Sequence, residues 1–169
     1  MRYLDEILPE NVTTLISNQM SIEECVRRAD ILIGAVYISG ARAPKLVIGE
    51  MVKLMKPGSV IVDVAIDQGG CIETSHPTSH GDPIYVMDGI LHYCVANMPG
   101  AFARTSTFAL TNVTLPYALR LADSGWRRAI RECPELSLGL NIALGHVTHP
   151  AVADAHGLAY LPPLEAAKV

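Results

Sequence analysis

One stretch of the chain, residues 58–70 (GSVIVDVAIDQGG), constrains the fold more than any other. It follows Pro57 and continues as an apolar run rich in β-branched residues, which is typical of a strand buried on both faces of a parallel sheet. It ends in Asp67, Gln68 and two glycines. Ligands of open α/β sheets bind beyond the carboxyl ends of the strands, so Asp67 and Gln68 lie where such chemistry takes place. A buried strand followed by an ordinary glycine turn fits the same letters equally well.

Strand-like and helix-like segments alternate along the first part of the chain. We expect strands at 12–16, 31–36, 59–66 and 90–96, and helices at 21–29 and 47–55. This alternation favours right-handed crossovers and a parallel, doubly wound α/β sheet of the Rossmann-like kind. The polar connection 73–83 is expected to be a loop.

Two sequence signals place helix boundaries. Ser21 and Glu24 form the pattern of a capping box, which predicts that the helix at 21–29 begins at Ser21. From about Thr105 the pattern becomes helical; it predicts a kink at Pro116 and a further helix from Ser124 to Arg131. The chain therefore divides into an α/β part and a helical part.

Composition excludes several classes of partner. The net charge is −4, and the 13 Lys and Arg residues are scattered, so a nucleic-acid partner is not indicated. No apolar run reaches the roughly 18 residues of a membrane span. The four cysteines lie far apart and form no CxxC pair, which favours a reduced, cytoplasmic setting over a zinc site or a disulfide framework.

The histidines do not form a metal motif. His76 and His80 are four residues apart, a spacing that suits a metal ion only on a helix. Pro77 and Gly81 argue against a helix there, so we expect no metal site. His92 lies inside an expected strand, where a packed core histidine is the simpler interpretation.

Three expected strand ends carry polar groups or glycine toward one edge of the sheet. They are Val36-Tyr37 with Ser39-Gly40, then 67–70, and then 97–100. Together they predict a ligand cleft, to which Ser17 adds a fourth contact. The glycine pattern G-x-G-x-x-G of dinucleotide folds does not occur in these residues, so we expect the first part of the nucleotide fold to be missing from them.

Four segments carry a family resemblance. They are GAVYISGARAPKLV (34–47), MKPGSVIVDVAIDQGGCIETS (55–75), HYCVANMPGAFARTSTFALTN (92–112) and LPYALRLADSGW (115–126). They closely resemble the NAD-dependent alanine dehydrogenases. The related nicotinamide nucleotide transhydrogenases share APKLV and KPGSVIVD but usually lack the Ile-Asp-Gln-Gly-Gly strand end, so Asp67 favours the alanine dehydrogenases.

The resemblance implies a reaction, an assembly and a domain plan. The family oxidises L-alanine to pyruvate and ammonium with NAD as hydride acceptor, in homohexamers of two-domain subunits. By this resemblance residues 1–103 are the later part of the NAD-binding domain, and residues 104–169 are helices of the substrate domain.

The resemblance also implies roles for particular residues. Asp67 is expected to be the catalytic acid/base beside the nicotinamide. The expected cofactor contacts are Ser17, Val36, Tyr37, Val64, Ala65, Ile66, Asp67, Val95, Ala96, Asn97 and Met98. The family's basic cofactor contact falls at His76, where this sequence departs from the pattern.

Other family residues are not found in this sequence. The catalytic histidine, the basic residues that hold the substrate carboxylate and the glycine fingerprint lie in the family's earlier half. We therefore expect these 169 residues to be inactive alone. Two alternatives remain open: a transhydrogenase NAD(H)-binding segment, and a non-catalytic truncated module that binds intact subunits.

Overall fold

A computed structural model describes residues 2–38 and 40–168, without the side chains of Arg2 and Asp5. The expected contact at Ser39 lies outside the described residues. The chain forms two compact units, one of Met1–Tyr37 and Ala43–Asn97, the other of Ile38–Arg42 and Met98–Val169. The domain roles expected for 1–103 and 104–169 stay a prediction.

The first unit is an α/β fold built on a four-stranded sheet. In chain order it contains α1 (Arg2–Ile7), α2 (Gln19–Arg28), β1 (Ile31–Gly34), α3 (Gly49–Val52), β2 (Val60–Asp63), a 3-10 turn (Val64–Gln68), β3 (Ile84–Met87) and β4 (Ile90–Tyr93). The sheet order is β1-β2-β4-β3. β2 pairs in parallel with β1 and with β4, which confirms the predicted α/β class.

β3 was not among the expected strands, and it makes the sheet mixed. It pairs antiparallel with β4, with Met87 opposite Ile90. Asp88 and Gly89 connect the two strands with φ angles of 53° and 77°. Asp-Gly is a strong hairpin signal because both turn residues need positive φ. The hairpin follows the polar connection expected as a loop at 73–83, and no structure was expected for residues 84–89.

The strand expected at 12–16 does not form. These residues have no regular structure, and Val12, Leu15 and Ile16 are 45%, 55% and 69% exposed. β-Branched residues favour a strand only when a partner strand and a packing face are present. Within the described residues β1 pairs with β2 alone, and the segment 12–16 does not join its open edge, so it has no partner strand.

Two expected helices have different bounds. α2 begins at Gln19 because the Asn18 side chain accepts the Ser21 backbone N–H at 2.9 Å. Asn18 is therefore the N-cap, and the capping box expected at Ser21 is wrong by three residues. The helix expected at 47–55 is helical only over Gly49–Val52.

The core of the first unit lies between the sheet and its helices. Its largest members are Val26, Val47, Met51, Val52, Met55, Ile61, Ile72 and Ile90. Along β2, Ile61 and Asp63 are buried, whereas Val60 and Val62 are half-buried. One face of β2 thus packs in the core, and the expected complete burial of both faces does not occur.

The second unit is largely helical. It contains a 3-10 turn (Met98–Phe102), α4 (Ala103–Glu132), α5 (Pro134–Leu138), the short strands β5 (Ile142–Ala143) and β6 (His146–Val147), α6 (Pro150–His156) and α7 (Pro163–Ala166). α4 is interrupted at Gly125, with φ 70° and ψ 155°, beside the expected start of a further helix at Ser124, and Pro116 lies inside the helix, where the expected kink stays a prediction. Among the described residues, no helix combines the length and apolarity needed to cross a bilayer.

A polar cluster stacks beside β4. The Tyr85 ring lies between the rings of His76 and His92, with centroid distances of 3.8 Å and 4.7 Å. His92 is fully buried, as expected. Its Nδ1–H donates to the Ile90 carbonyl at 3.0 Å, and its Nε2 accepts from the Thr74 hydroxyl at 2.8 Å. Burial lowers the pKa of His92, which agrees with the neutral ring that this pattern needs.

Gly34→Ala should destabilise the first unit. A Cβ at Gly34 would lie 2.5 Å from Cys71 Sγ and 3.3 Å from Ile72 Cδ1. Overpacking of this kind costs about 1–3 kcal/mol, measurable as a lower urea midpoint. The matched control is Gly81→Ala, whose Cβ would meet only Ser79 Oγ at 3.9 Å. Equal midpoints for the two variants would contradict the packing of Gly34 against Cys71.

His92 should make stability dependent on pH. Burial holds the pKa of folded His92 below its ordinary value of 6.5. Just below pH 6.5 the unfolded chain therefore binds a proton at this residue, and the folded chain does not. Unfolding free energy should therefore fall as the pH is lowered from about 6.5, and His92→Gln should flatten this dependence. The exposed His156, changed to Gln, is the control. A slope that persists in His92→Gln would show that another group causes it.

Candidate functional site

A groove follows the carboxyl ends of β1 and β2. It encloses about 240 Å³ and is lined by Ala35, Val36, Tyr37, Val64, Ala65, Asp67 and Gln68. We call it the Asp67 groove. Five of these residues were expected to contact a cofactor: Val36, Tyr37, Val64, Ala65 and Asp67. The parallel pairing of β1 with β2 brings their ends to the same edge, as the sequence pattern predicted.

The floor of the groove is a turn and not a strand. β2 ends at Asp63, three residues before the expected end at 66, and the chain continues as the 3-10 turn Val64–Gln68. The Asp63 side chain accepts the Ala65 backbone N–H and caps this turn. Gly69 and Gly70, with φ angles of 91° and 74°, end it. Positive φ suits glycine, which explains the Gly-Gly pair.

Asp67 is held from the end of β4. The Asn97 backbone N–H donates to both oxygens of its carboxylate, at 3.1 Å to Oδ1 and 3.2 Å to Oδ2. Asn97 has a positive φ of 54°. The side chain of Asp67 is exposed. A carboxylate in this position can exchange a proton with a bound molecule or stabilise a positive charge on it.

A second loop supports Asn97. His80 Nε2–H donates to the Asn97 carbonyl at 3.1 Å. Thr78 forms a parallel bridge with Val95, in which the Thr78 N–H donates to the Cys94 carbonyl and the Ala96 N–H to the Thr78 carbonyl. The 78–83 connection, expected only as a loop, therefore holds the segment that contacts Asp67.

The remaining expected cofactor residues lie elsewhere. Ser17 lines a separate cavity of about 380 Å³ together with Asn18, Gln19, Ile22, Lys45, Leu46, Ile48 and Met51. Ile66 and Val95 are buried, with 3% and 0% of their surface exposed, while Ala96 is exposed. Met98 opens the 3-10 turn of the second unit. Their cofactor roles stay predictions.

Three residues of the site were missed from the sequence. Asp63 is fully buried and binds backbone N–H groups, and an acid inside an apolar run was the available signal. Lys45 Nζ donates to the carbonyls of Gly69 and Ile72, at 2.6 Å and 3.2 Å. No local sequence pattern marks Lys45 or His80. The nearest hydrogen-bond partner of Lys45 is Gly69, 24 residues away, and that of His80 is Asn97, 17 residues away.

The cysteines do not offer a nucleophile at the groove. Cys71 and Cys94 are buried and free. Burial, and then the nearby Asp63 carboxylate, raise the pKa of the Cys71 thiol, which opposes the reactive thiolate. Over residues 2–38 and 40–168, no group of three His, Cys, Asp or Glu side chains is arranged to hold a metal ion.

The first unit is an α/β fold of the doubly wound class with a mixed sheet. The groove at its strand ends, edged by the Asp67 carboxylate, lies where folds of this class bind small molecules. Comparison with known proteins defines the family more closely. The chain belongs to the family described as "Alanine dehydrogenase/PNT, C-terminal domain", whose model matches residues 1–150.

Curated relatives agree with this family. The chain is 55% identical over 158 residues to an alanine dehydrogenase of Halomonas elongata, a match that covers 94% of this chain and 43% of the relative. It is 58% identical over 163 residues to an alanine dehydrogenase of Methanococcus maripaludis, covering 96% of this chain and 44% of the relative. The chain thus spans less than half the length of these relatives.

A solved structure shows the same fold. An L-alanine dehydrogenase superposes with a TM-score of 0.79 at 49% sequence identity, and the match covers 92% of this chain and 43% of that one. The α/β assignment therefore agrees with an independent structure.

Proposed function

We propose that this chain is the C-terminal part of an L-alanine dehydrogenase, which converts L-alanine, NAD+ and water to pyruvate, ammonium, NADH and a proton. The observation that carries the proposal is the exposed Asp67 carboxylate, held by Asn97 N–H at the edge of an apolar groove. Identities of 55–58% over at least 94% of the chain to alanine dehydrogenases support it.

The Asp67 groove fits the nicotinamide end of NAD. Val36, Tyr37 and Val64 provide apolar surface for a flat ring, and Asp67 provides one polar group at its edge. At about 240 Å³ the groove holds only part of a dinucleotide. The separate cavity beside Ser17 is a candidate for the adenosine side. When bound, NAD supplies the hydride acceptor.

Asp67 has two tasks in this proposal. Its carboxylate oxygens stabilise the positive charge on the substrate nitrogen, and they orient the water or ammonia that enters or leaves the reacting carbon. The Asn97 N–H holds both oxygens in one orientation, which is the preorganisation that such a role requires. Val36 and Val64 exclude water from the same space.

These residues do not supply the whole reaction. The 169 residues contain no G-x-G-x-x-G turn for the pyrophosphate. The basic groups that hold the substrate carboxylate are expected in the portion of the relatives that this chain does not match. We therefore propose that the chain is inactive alone and acts in a cytoplasmic enzyme of full family length.

Assembly into a homohexamer is also proposed. Many large apolar side chains of α4 are exposed in the single chain, among them Phe108, Leu110, Val113, Leu115 and Leu119. Exposed apolar surface of this extent is typical of surface that other protein covers, here the remaining part of the subunit and neighbouring subunits.

Asp67→Asn should remove most of the alanine dehydrogenase activity of the full-length subunit. The amide cannot exchange the proton, so kcat should fall by about 10²–10⁴-fold, measured as alanine-dependent NADH formation. The control is Asp82→Asn, which removes an exposed acid of the 73–83 connection. Normal turnover by Asp67→Asn would contradict the catalytic role.

Two further outcomes separate the alternatives. Hydride transfer between two nicotinamide nucleotides without alanine would identify a transhydrogenase segment. Turnover of alanine by the 169-residue chain alone would contradict the proposal that it needs the remaining part of the subunit.

The hexamer is tested by light scattering of the full-length subunit. We expect a mass six times that of one subunit, the number of subunits that the family resemblance implies. A monomer at micromolar concentration would contradict the proposed assembly.

A further inference from the structure

The carboxylate of Asp63 binds both ends of one loop. Asp63 is the last residue of β2 and is fully buried. Its Oδ1 accepts the Ala65 N–H at 3.1 Å, and its Oδ2 accepts the N–H groups of Cys71 and Ile72 at 3.1 Å and 3.2 Å. The loop 64–72, which carries Asp67, therefore leaves β2 and returns to the same side chain.

Because the carboxylate of Asp63 is buried, it requires these hydrogen bonds. A carboxylate removed from water needs donors, because an uncompensated buried charge costs several kcal/mol. Among the described residues, no Lys, Arg or His side chain forms an ion pair with Asp63, so three backbone N–H groups and the Cys71 thiol, whose Sγ lies 3.7 Å from Oδ1, are the donors that satisfy it. A movement of the loop 64–72 that breaks these hydrogen bonds leaves the buried charge without donors. The loop therefore has one preferred conformation.

Two glycines and one lysine also contribute to the conformation of the loop 64–72. Gly70 leaves no room for a side chain, since a Cβ there would lie 2.8 Å from Asp63 Oδ2. Gly69 also has positive φ, but a Cβ there would meet nothing within 4 Å. Lys45 Nζ binds the Gly69 and Ile72 carbonyls from outside the loop. The two glycines therefore both have positive φ and differ in their proximity to Asp63.

We propose that Asp63 is a positioning residue: by binding both ends of the loop 64–72 it places the Asp67 carboxylate against the Asn97 N–H. The consequence for catalysis rests on the proposed function of Asp67, whereas the geometric consequence does not. Asp63 itself is buried beneath the groove and does not touch a ligand there.

The experiment combines amide exchange with kinetics in the full-length subunit. Asp63→Asn keeps the shape of the side chain but turns one acceptor into a donor. Gly70→Ala presses on Asp63 Oδ2 without changing its charge, and Gly69→Ala is the matched control with the same kind of backbone strain. Hydrogen–deuterium exchange resolved to single residues reports the amides of Cys71, Ile72 and Asn97.

The expected result is a coupled loss. Asp63→Asn and Gly70→Ala should speed exchange at Cys71 and Ile72, and also at Asn97, which lies on another strand end. Gly69→Ala should leave Asn97 close to the unmodified protein. With Asp67 displaced by about 1 Å, kcat should fall by about 10²-fold while KM for NAD changes little.

Two results would overturn the proposal. One is faster exchange at Cys71 and Ile72 with unchanged exchange at Asn97, which would confine Asp63 to shaping its own turn. The other is an equal increase of amide exchange at Asn97 in Gly69→Ala and Gly70→Ala, which would show that backbone strain in the loop, and not contact with Asp63, causes the increase. If Asp63→Asn does not fold, the two glycine variants decide. If the unmodified subunit does not oxidise alanine, the proposed function fails, and exchange at Asn97 still decides the positioning role.

Discussion

The buried carboxylate of Asp63 is the interaction on which the candidate site depends. It lies at the end of the central strand with none of its surface exposed. A charge in that position is stable only with hydrogen-bond donors around it. The chain provides them by turning directly after the strand, so that the N–H groups of Ala65, Cys71 and Ile72 converge on the carboxylate. The same turn carries Asp67 to the edge of the sheet.

The sheet order then decides what faces Asp67. β2 lies between β1 and β4 and runs parallel to both, so three strand ends meet at one edge. The end of β1 provides Val36 and Tyr37 as the apolar wall of the groove. The end of β4 provides the Asn97 N–H that binds Asp67. Neither contribution depends on residues close to Asp67 in the chain.

The hairpin of β3 and β4 has a supporting role. Its antiparallel pairing stacks Tyr85 against His92, and His92 is bound in its neutral form through Thr74 and Ile90. Thr78 and His80, in the connection before β3, bind the segment after β4. A long polar connection that resembles an ordinary surface loop is therefore part of the framework that holds Asn97.

Apolar runs, glycines and alternation are local patterns, and they were enough to predict the α/β class, the parallel strands β1, β2 and β4, and the cluster of strand ends around Asp67. Contacts between distant residues leave 12–16 irregular, end β2 at Asp63, and place Asn97 and His80 where they support Asp67. A strand forms only beside a partner strand, and a buried charge is hydrogen-bonded by the N–H groups that the fold places near it. The strand and the hydrogen bonds therefore both depend on contacts between distant residues.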